Sequence, residues 1–211
     1  VVVDIGCNDG YLLKQYSNNY FRVGFDPVKK FAEESSKYAN EIVTDYFSAS
    51  KLKAYPKAKI ITIISCFYDM PDPNRFVADV AKVLADDGIV SIQQNYLVGM
   101  LTNNALDNVV HEHLTYFSLL SLEPLLARHN LEVFHVTLND INGGSFRTLI
   151  CHKGSRIIQP SVVSLRQAES LISLGNAKTY ISWGERVKQI MKDLHDFVEG
   201  EVKKRKKIFL L

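Results

Sequence analysis

The sequence has little of what marks secreted or membrane-spanning proteins. Its three cysteines, Cys7, Cys66 and Cys151, lie far apart and form no C-x-x-C pair, so neither a disulfide framework nor a cysteine zinc site is suggested. No apolar run approaches the roughly 20 residues that a membrane helix needs, and no basic-then-apolar leader stands at the start. We therefore expect a protein of the reducing cytoplasm with no membrane partner.

The sequence also has no large excess of positive or negative charge. The 25 Lys and Arg residues nearly balance the 23 Asp and Glu residues, so the net charge of +2 creates no general field for nucleic acid. The one basic run, residues 203–207, has no interleaved aromatic residue and ends a predicted helix, where positive charge offsets the helix dipole. We interpret it as a solvated face and expect no nucleic-acid partner.

The composition is that of one soluble globular domain, with 46% hydrophobic and 23% charged residues in a chain of 211. The chain begins inside an apolar run, residues 1–5, and ends on another, residues 208–211. Because such runs normally lie inside a fold, we expect the natural protein to continue on both sides.

Apolar runs alternate with helical patterns over the first 92 residues. A continuous apolar run that is closed by turn signals is typical of a parallel strand buried on both faces. Asp72-Pro73 is a strong helix start, and Asp86-Asp87-Gly88 is expected to stop that helix. The predicted strands are residues 1–5, 21–25, 41–44, 60–65 and 89–92, and the predicted helices are residues 11–16, 27–38 and 73–85. This rhythm predicts a doubly wound, Rossmann-like α/β sheet.

The second half of the chain has a different pattern. A long connection, residues 97–118, is followed by a helix over residues 122–129 for which we expect Ser121 to be the cap. Two strand-like runs, residues 131–138 and 146–152, flank a glycine-rich connection and predict an antiparallel hairpin that closes the sheet. The remainder is predicted to be helical, with one apolar stripe formed by Tyr180, Trp183, Val187, Ile190, Leu194 and Phe197.

The turn after the first strand is the most informative segment. Glycines at a strand-to-helix turn let a ligand approach the backbone, and an acidic residue that ends the next strand, here Asp26, can accept both hydroxyls of a ribose. A dinucleotide site needs G-x-G-x-x-G, whereas the glycines here are Gly6 and Gly10 with Asn8 between them. The pattern favours an adenosine cofactor without a pyrophosphate.

These elements resemble the binding elements of class I S-adenosylmethionine-dependent methyltransferases, in the order that fold uses. The resemblance implies that S-adenosylmethionine is the cofactor, that residues 1–153 bind it, and that residues 154–211 begin a further C-terminal part. It places Asp4 and Asn8 near the amino acid end, and it places Ser65 and Cys66 beneath the sulfonium. The remaining implied cofactor contacts are Gly6, Cys7 and Gly10 at the methionine moiety, Asp26 at the ribose, and Asp45 and Tyr46 at the adenine.

A narrower resemblance concerns the substrate. Asn95-Tyr96-Leu97, the segment 107–118 with His111-Glu112-His113, and Gly143-Gly144-Ser145-Phe146-Arg147 are similar to signatures of the nucleotide-sugar (NDP-hexose) C-methyltransferases. The resemblance implies base-assisted methylation of a carbon next to the ketone of a nucleotide-linked sugar. His113 would be the base, His111 and Glu112 would orient it or hold the sugar, and Asn95 or Tyr96 would donate to the ketone or ring hydroxyls. A metal site is not expected, because no third ligand accompanies the two histidines.

Two positions depart from the family pattern. Val110 stands where a tyrosine commonly precedes the His-Glu-His run, and Asp69 stands where a histidine is often found. Two other functions therefore stay open: methylation of oxygen or nitrogen on another small molecule, and binding of the cofactor without catalysis.

Overall fold

The computed structural model describes residues 1–209, so Leu210 and Leu211, the end of the apolar run, lie outside the described residues. A seven-stranded sheet in the order β3-β2-β1-β4-β5-β7-β6 forms its centre. The strands are β1 Val2–Ile5, β2 Arg22–Phe25, β3 Glu41–Val43, β4 Ala58–Ile64, β5 Leu84–Asn95, β6 Leu131–Asn139 and β7 Ser145–His152. The first five are parallel, and β7 runs antiparallel to both β5 and β6. The expected doubly wound sheet with a closing antiparallel hairpin is confirmed.

Seven α-helices are described, and short 3-10 turns separate several of them. They are α1 Tyr11–Gln15, α2 Ala32–Ser35, α3 Pro73–Val83, α4 Leu97–Asn103, α5 Leu119–Ala127, α6 Pro160–Ser170 and α7 Ala177–Lys203. The helix expected over residues 27–38 is much shorter than predicted. The Ser35 hydroxyl bonds back to the carbonyl of Phe31, and the Ser36 hydroxyl to that of Glu33, a competition that weakens helices.

The core explains why the parallel strands read as apolar runs. Val2 and Val3, successive residues that point to opposite faces of the sheet, are both buried, as are Val23, Phe25 and Ile61, so both faces are covered at these strands. Asp72 caps α3 by accepting from the backbone N–H of Arg75, as predicted.

The start of α5 and the start of β5 differ most clearly from the predicted boundaries. Helix α5 is capped by Ser118 rather than by Ser121, because Ser118 accepts from the Ser121 N–H while the Ser121 hydroxyl accepts from the Ser118 N–H. Strand β5 continues through Asp86-Asp87-Gly88 instead of starting after it. Asp86 and Asp87 pair with Lys57 and Lys59 on the neighbouring chain segment, which makes an acidic strand tolerable.

The long helix α7 packs only through its first half. Trp183 lies against the small cluster that Met100 and Leu101 form on α4, and Val187 is buried. Farther along the predicted apolar stripe, Leu194 and Phe197 are exposed. No described helix is both long and apolar enough to span a membrane.

Candidate active site

The turn between β1 and α1 has the backbone that its glycines predict. Gly6, Asn8 and Gly10 all have positive φ, at 76°, 49° and 81°. A side chain at Gly10 would meet the Cα of Ser35 at 2.9 Å, so glycine is required there by backbone contact as well as by conformation. The tight turn directs backbone groups toward the carboxyl edge of the sheet, where ligands bind in open α/β folds.

Asp26 ties this turn to the end of β2. Its Oδ2 accepts from the Asn8 N–H and its Oδ1 from the Val28 N–H, both at 2.9 Å, and the residue is 8% exposed. Each carboxylate oxygen keeps a second lone pair that can accept from a hydroxyl. The geometry therefore suits the acceptor of a diol that the sequence predicts at this position.

Asp4 is a second buried carboxylate at the same edge. The Thr62 hydroxyl donates to its Oδ1 at 2.5 Å, a partner that the sequence analysis missed because Thr62 becomes a neighbour only through the pairing of β1 with β4. The pKa of Asp4 is raised to about 6 as the net result of three effects. Burial, the largest, raises it, the Thr62 hydrogen bond lowers it, and the nearby Asp26 charge raises it. The site is thus acidic and lacks a cation of its own among these neighbours.

The two cysteines near the turn are inert packing groups. Burial first, and the charges of Asp4 and Asp26 after it, raise the pKa of both Cys7 and Cys66 to about 12. The Cys66 thiol donates to the Ile5 carbonyl at 3.3 Å, directly under the turn. Neither thiol is ionised near neutral pH, so neither is a nucleophile.

The residues assigned to the adenine and sulfonium ends are more open. Tyr46 is 72% exposed after β3, and Asp45 beside it forms an ion pair with Lys51 at 2.5 Å, which lowers the pKa of that carboxyl. Ser65 is exposed at the end of β4 with a φ of 55°. Nothing in these contacts prevents either end from receiving a ligand.

His113 lies on the connection after α4, at the same edge of the sheet. Its Nδ1 is 2.8 Å from the Asn108 carbonyl oxygen, and its ring centroid is 4.3 Å from that of Tyr68. Because a carbonyl only accepts, Nδ1 carries a hydrogen in this contact, so the neutral tautomer that fits it has its lone pair on Nε2. The structure therefore holds this imidazole in the tautomer that acts as a base through Nε2.

A buried amide pair organises the same connection. Asn95 Nδ2 donates to Asn108 Oδ1 at 2.6 Å, and Asn108 Nδ2 donates to the Asn142 carbonyl in the β6–β7 connection at 2.9 Å. Asn108 was missed by the sequence analysis, because only the closure of this connection makes it a neighbour of Asn95 and His113. Asn95 thus lies one hydrogen bond from the residue that holds His113.

The other members of the predicted cluster are arranged differently. His111 and Glu112 have side chains that are 91% and 74% exposed, with His111 Nε2 3.8 Å from Glu112 Oε1. Tyr96 is buried, and its hydroxyl donates to Glu169 at 2.9 Å, so that hydroxyl is engaged away from His113.

Asp69 faces the same region as His113. Its Oδ1 is buried and has no hydrogen-bond partner within residues 1–209. Burial raises the pKa of Asp69, while the nearby His113 lowers it and Glu112 raises it. A carboxyl that is held partly out of water beside an imidazole is available for acid–base work or for binding a polar group of a substrate.

The sequence pattern of a methyltransferase domain family matches residues 1–136, and that of a C-methyltransferase C-terminal domain matches residues 140–210. The chain belongs to the S-adenosylmethionine-dependent methyltransferases. A C-methyltransferase from Streptomyces niveus, NovU, is 28% identical over 208 residues. That match takes in 96% of this chain and 50% of NovU, so the chain spans half the length of this relative.

Solved structures agree on the fold of this chain. The methyltransferase in a Haloferax volcanii complex with a methyltransferase activator aligns with a TM-score of 0.58 and 14% identity, over 72% of this chain and 81% of that one. The magnesium protoporphyrin IX methyltransferase of Synechocystis PCC 6803, solved with bound S-adenosylhomocysteine, aligns with a TM-score of 0.55 and 12% identity. That alignment covers 73% of this chain and 74% of the other.

The donor set at the turn fits S-adenosylmethionine. The buried carboxylates Asp4 and Asp26 repel one another, and a ligand with a sulfonium and an ammonium group offsets that repulsion. The backbone of the turn between them admits a ligand without phosphates. Within residues 1–209 no three His, Cys, Asp or Glu side chains form a metal-binding group.

Proposed function

We propose that the protein transfers a methyl group from S-adenosylmethionine to a carbon next to the ketone of a nucleotide-linked sugar. The observation that carries the proposal is the Nδ1 hydrogen bond of His113 to the Asn108 carbonyl, which leaves Nε2 as a base at the edge of the sheet. The similarity to a C-methyltransferase over 96% of the chain supports carbon as the acceptor atom.

Carbon methylation needs a base because a C–H carbon is not a nucleophile. In the proposed reaction, His113 Nε2 accepts the proton alpha to the ketone, and the C–H electron pair moves into an enolate. When bound, the cofactor would supply an electrophilic methyl group to the enolate carbon and would keep the electron pair of the broken methyl–sulfur bond, leaving as S-adenosylhomocysteine. The product is the methylated ketone, and the proton leaves His113 to solvent.

The neighbours of His113 receive separate roles in this proposal. Asn95 positions Asn108, and through it the imidazole. Exposed Glu112 and His111 are placed to bind hydroxyl or amino groups of the sugar from the rim of the connection. Asp69 stands in for the histidine of the family pattern as the second ionisable group beside the base. In this proposal residues 1–153 hold the cofactor, and residues 154–211 begin a further C-terminal part.

Deuterium exchange tests the base without methyl transfer. The chain is incubated in heavy water with S-adenosylhomocysteine and nucleotide-linked ketosugars, and mass spectrometry measures deuterium alpha to the ketone. We expect exchange in the unaltered protein and a loss of about 100-fold or more in His113→Gln. His129→Gln, which alters a histidine that bonds Asn74 on the surface, is the matched control. Equal exchange in His113→Gln and the unaltered protein would show that another group is the base.

A further inference from the structure

The carboxylate of Glu169 is fully buried far along the chain from the other site residues. Glu169 lies in the last turn of α6 and is 1% exposed. A buried carboxylate is costly unless its oxygens are hydrogen-bonded, so its partners indicate what it does.

Those partners are the two ends of one segment. Glu169 Oε1 accepts from the Tyr96 hydroxyl at 2.9 Å and from the Leu119 N–H at 2.7 Å, and Oε2 accepts from the Leu120 N–H at 2.8 Å. Tyr96 directly precedes residues 97–117, and Leu119 comes after them with one residue, Ser118, in between. One carboxylate therefore touches both stems of the connection that carries His113.

The stems also meet each other. Tyr96 and Phe117 form a parallel bridge, in which the Leu97 N–H donates to the Phe117 carbonyl at 2.9 Å. Residues 97–117 thus form a loop that is closed at its base, and we call this segment the acceptor loop. Its closure rests on this bridge and on the Glu169 carboxylate.

The charge of Glu169 is compensated by the start of α5. Leu119 and Leu120 are the first two residues of that helix, and their N–H groups have no acceptor inside the helix. The helix dipole favours a negative charge at this end. Ser118 accepts from the next N–H, that of Ser121, so the first three donors of the helix are satisfied.

We propose that Glu169 is a positioning residue that holds the acceptor loop closed at its base and thereby fixes the orientation of the His113 imidazole. The proposal rests on the proposed function, since it takes the acceptor loop to be the place where the methyl acceptor reacts. It makes α6, outside the cofactor-binding part, a determinant of the geometry of the base.

The variant Glu169→Gln tests the proposal, because glutamine keeps one acceptor and replaces the other by an N–H donor. Glu123→Gln is the matched control: Glu123 pairs with Arg166 across the same α5–α6 contact but touches neither stem of the loop. Hydrogen exchange of residues 97–117 and the imidazole nitrogen signals of His113 are measured by mass spectrometry and NMR. His113→Gln assigns those signals.

We expect Glu169→Gln to exchange the acceptor-loop amides about tenfold faster or more and to replace the single Nδ1-protonated form of His113 by an average of both tautomers. We expect its affinity for S-adenosylhomocysteine to stay within about twofold, and Glu123→Gln to match the unaltered protein in every readout. A folded Glu169→Gln protein with unchanged loop exchange and unchanged His113 signals would overturn the proposal and leave Glu169 as an anchor of α6 alone.

Tyr96→Phe provides a second test that removes a single hydroxyl and keeps the helix cap. If Glu169→Gln does not fold, faster exchange of residues 97–117 in Tyr96→Phe supports the proposal, and unchanged exchange contradicts it. Neither readout requires an acceptor. A loop that loosens in a protein that methylates no ketosugar would therefore refute the proposed function and retain the role of Glu169.

Discussion

At the residue scale, buried carboxylates dominate the electrostatics of the cofactor site. Asp4 and Asp26 are both buried at the ends of neighbouring strands, and the Asp26 charge disfavours ionisation of Asp4. Such an arrangement costs stability in the empty protein and becomes favourable when a cation binds. Asp4 is therefore expected to oppose folding stability, and both residues are expected to favour cofactor binding.

Asp4→Asn should expose this opposition. The pKa of Asp4 is raised from 3.8 to about 6 in the folded protein, so its ionisation destabilises the fold progressively from about pH 4 to pH 6, by about 3 kcal/mol above that range. The asparagine variant lacks this loss of folding stability. In the absence of cofactor at pH 7.5, it should melt several degrees higher than the unaltered protein. Thermal unfolding between pH 4 and pH 8 measures the difference. A variant that melts lower at pH 7.5 and shows the same pH dependence would contradict the assignment.

Asp26→Ala tests the diol acceptor. Calorimetric titration should show that the unaltered chain binds S-adenosylhomocysteine and does not bind NAD. The variant should bind S-adenosylhomocysteine at least about 100-fold more weakly, since hydrogen bonds to a charged group are lost. Asp9→Ala is the control, because Asp9 lies in the same turn with an exposed side chain that accepts from the Tyr11 N–H. Equal affinity in both variants would remove Asp26 from the site.

Residue types could be predicted where a local motif defines them. Gly6, Gly10 and Asp26 follow from the strand-turn pattern. Thr62 and Asn108 could not be predicted, because they become neighbours of Asp4 and His113 only through strand pairing and loop closure. The predicted role of Tyr96 as a donor to the substrate does not match the hydrogen bond that its hydroxyl makes with Glu169.

At the element scale, the β1–α1 turn depends on a backbone contact rather than on flexibility. Gly10 and Gly154 have nearly equal φ values, 81° and 80°, but differ in their surroundings. A Cβ at Gly10 would be 2.9 Å from the Cα of Ser35, whereas one at Gly154 would have nothing within 4 Å. The pair separates conformational strain from steric overlap.

Gly154→Ala should cost about 1 kcal/mol, which is the strain of a left-handed alanine. Gly10→Ala should cost about 1–3 kcal/mol more because α2 must move, and it should also weaken binding of S-adenosylhomocysteine. Urea denaturation gives the two free energies of unfolding. Equal costs would show that the turn and α2 separate without penalty.

Element boundaries were predicted well where one strong signal dominated. Asp72-Pro73 begins α3 as expected, whereas the cap of α5 lies one turn earlier than expected because Ser118 and Ser121 cap it reciprocally. The helix expected over residues 27–38 is reduced to a short turn and α2, since serine hydroxyls bond to carbonyls of the preceding turn. Periodicity alone does not register this local competition.

At the scale of the whole molecule, the strand order places cofactor and acceptor chemistry at one edge. Strands β1 and β2 end at the glycine turn and Asp26, and β5 ends at Asn95, two residues before the acceptor loop starts. The parallel part was predictable because buried parallel strands are apolar throughout. The contact of α6 with both stems of the acceptor loop was not predictable, since residues 96 and 169 are separated by 73 positions.

The position of the transferred methyl group tests the central claim most directly. The chain is incubated with S-adenosylmethionine that carries a 13C-labelled methyl group and with nucleotide-linked ketosugars, with and without an amino group, and the product is analysed by NMR. The account predicts a labelled methyl group bonded to the ring carbon next to the ketone, formed by the unaltered chain and not by His113→Gln. A labelled methyl group on oxygen or nitrogen, or no transfer by a chain that binds S-adenosylhomocysteine, would contradict it.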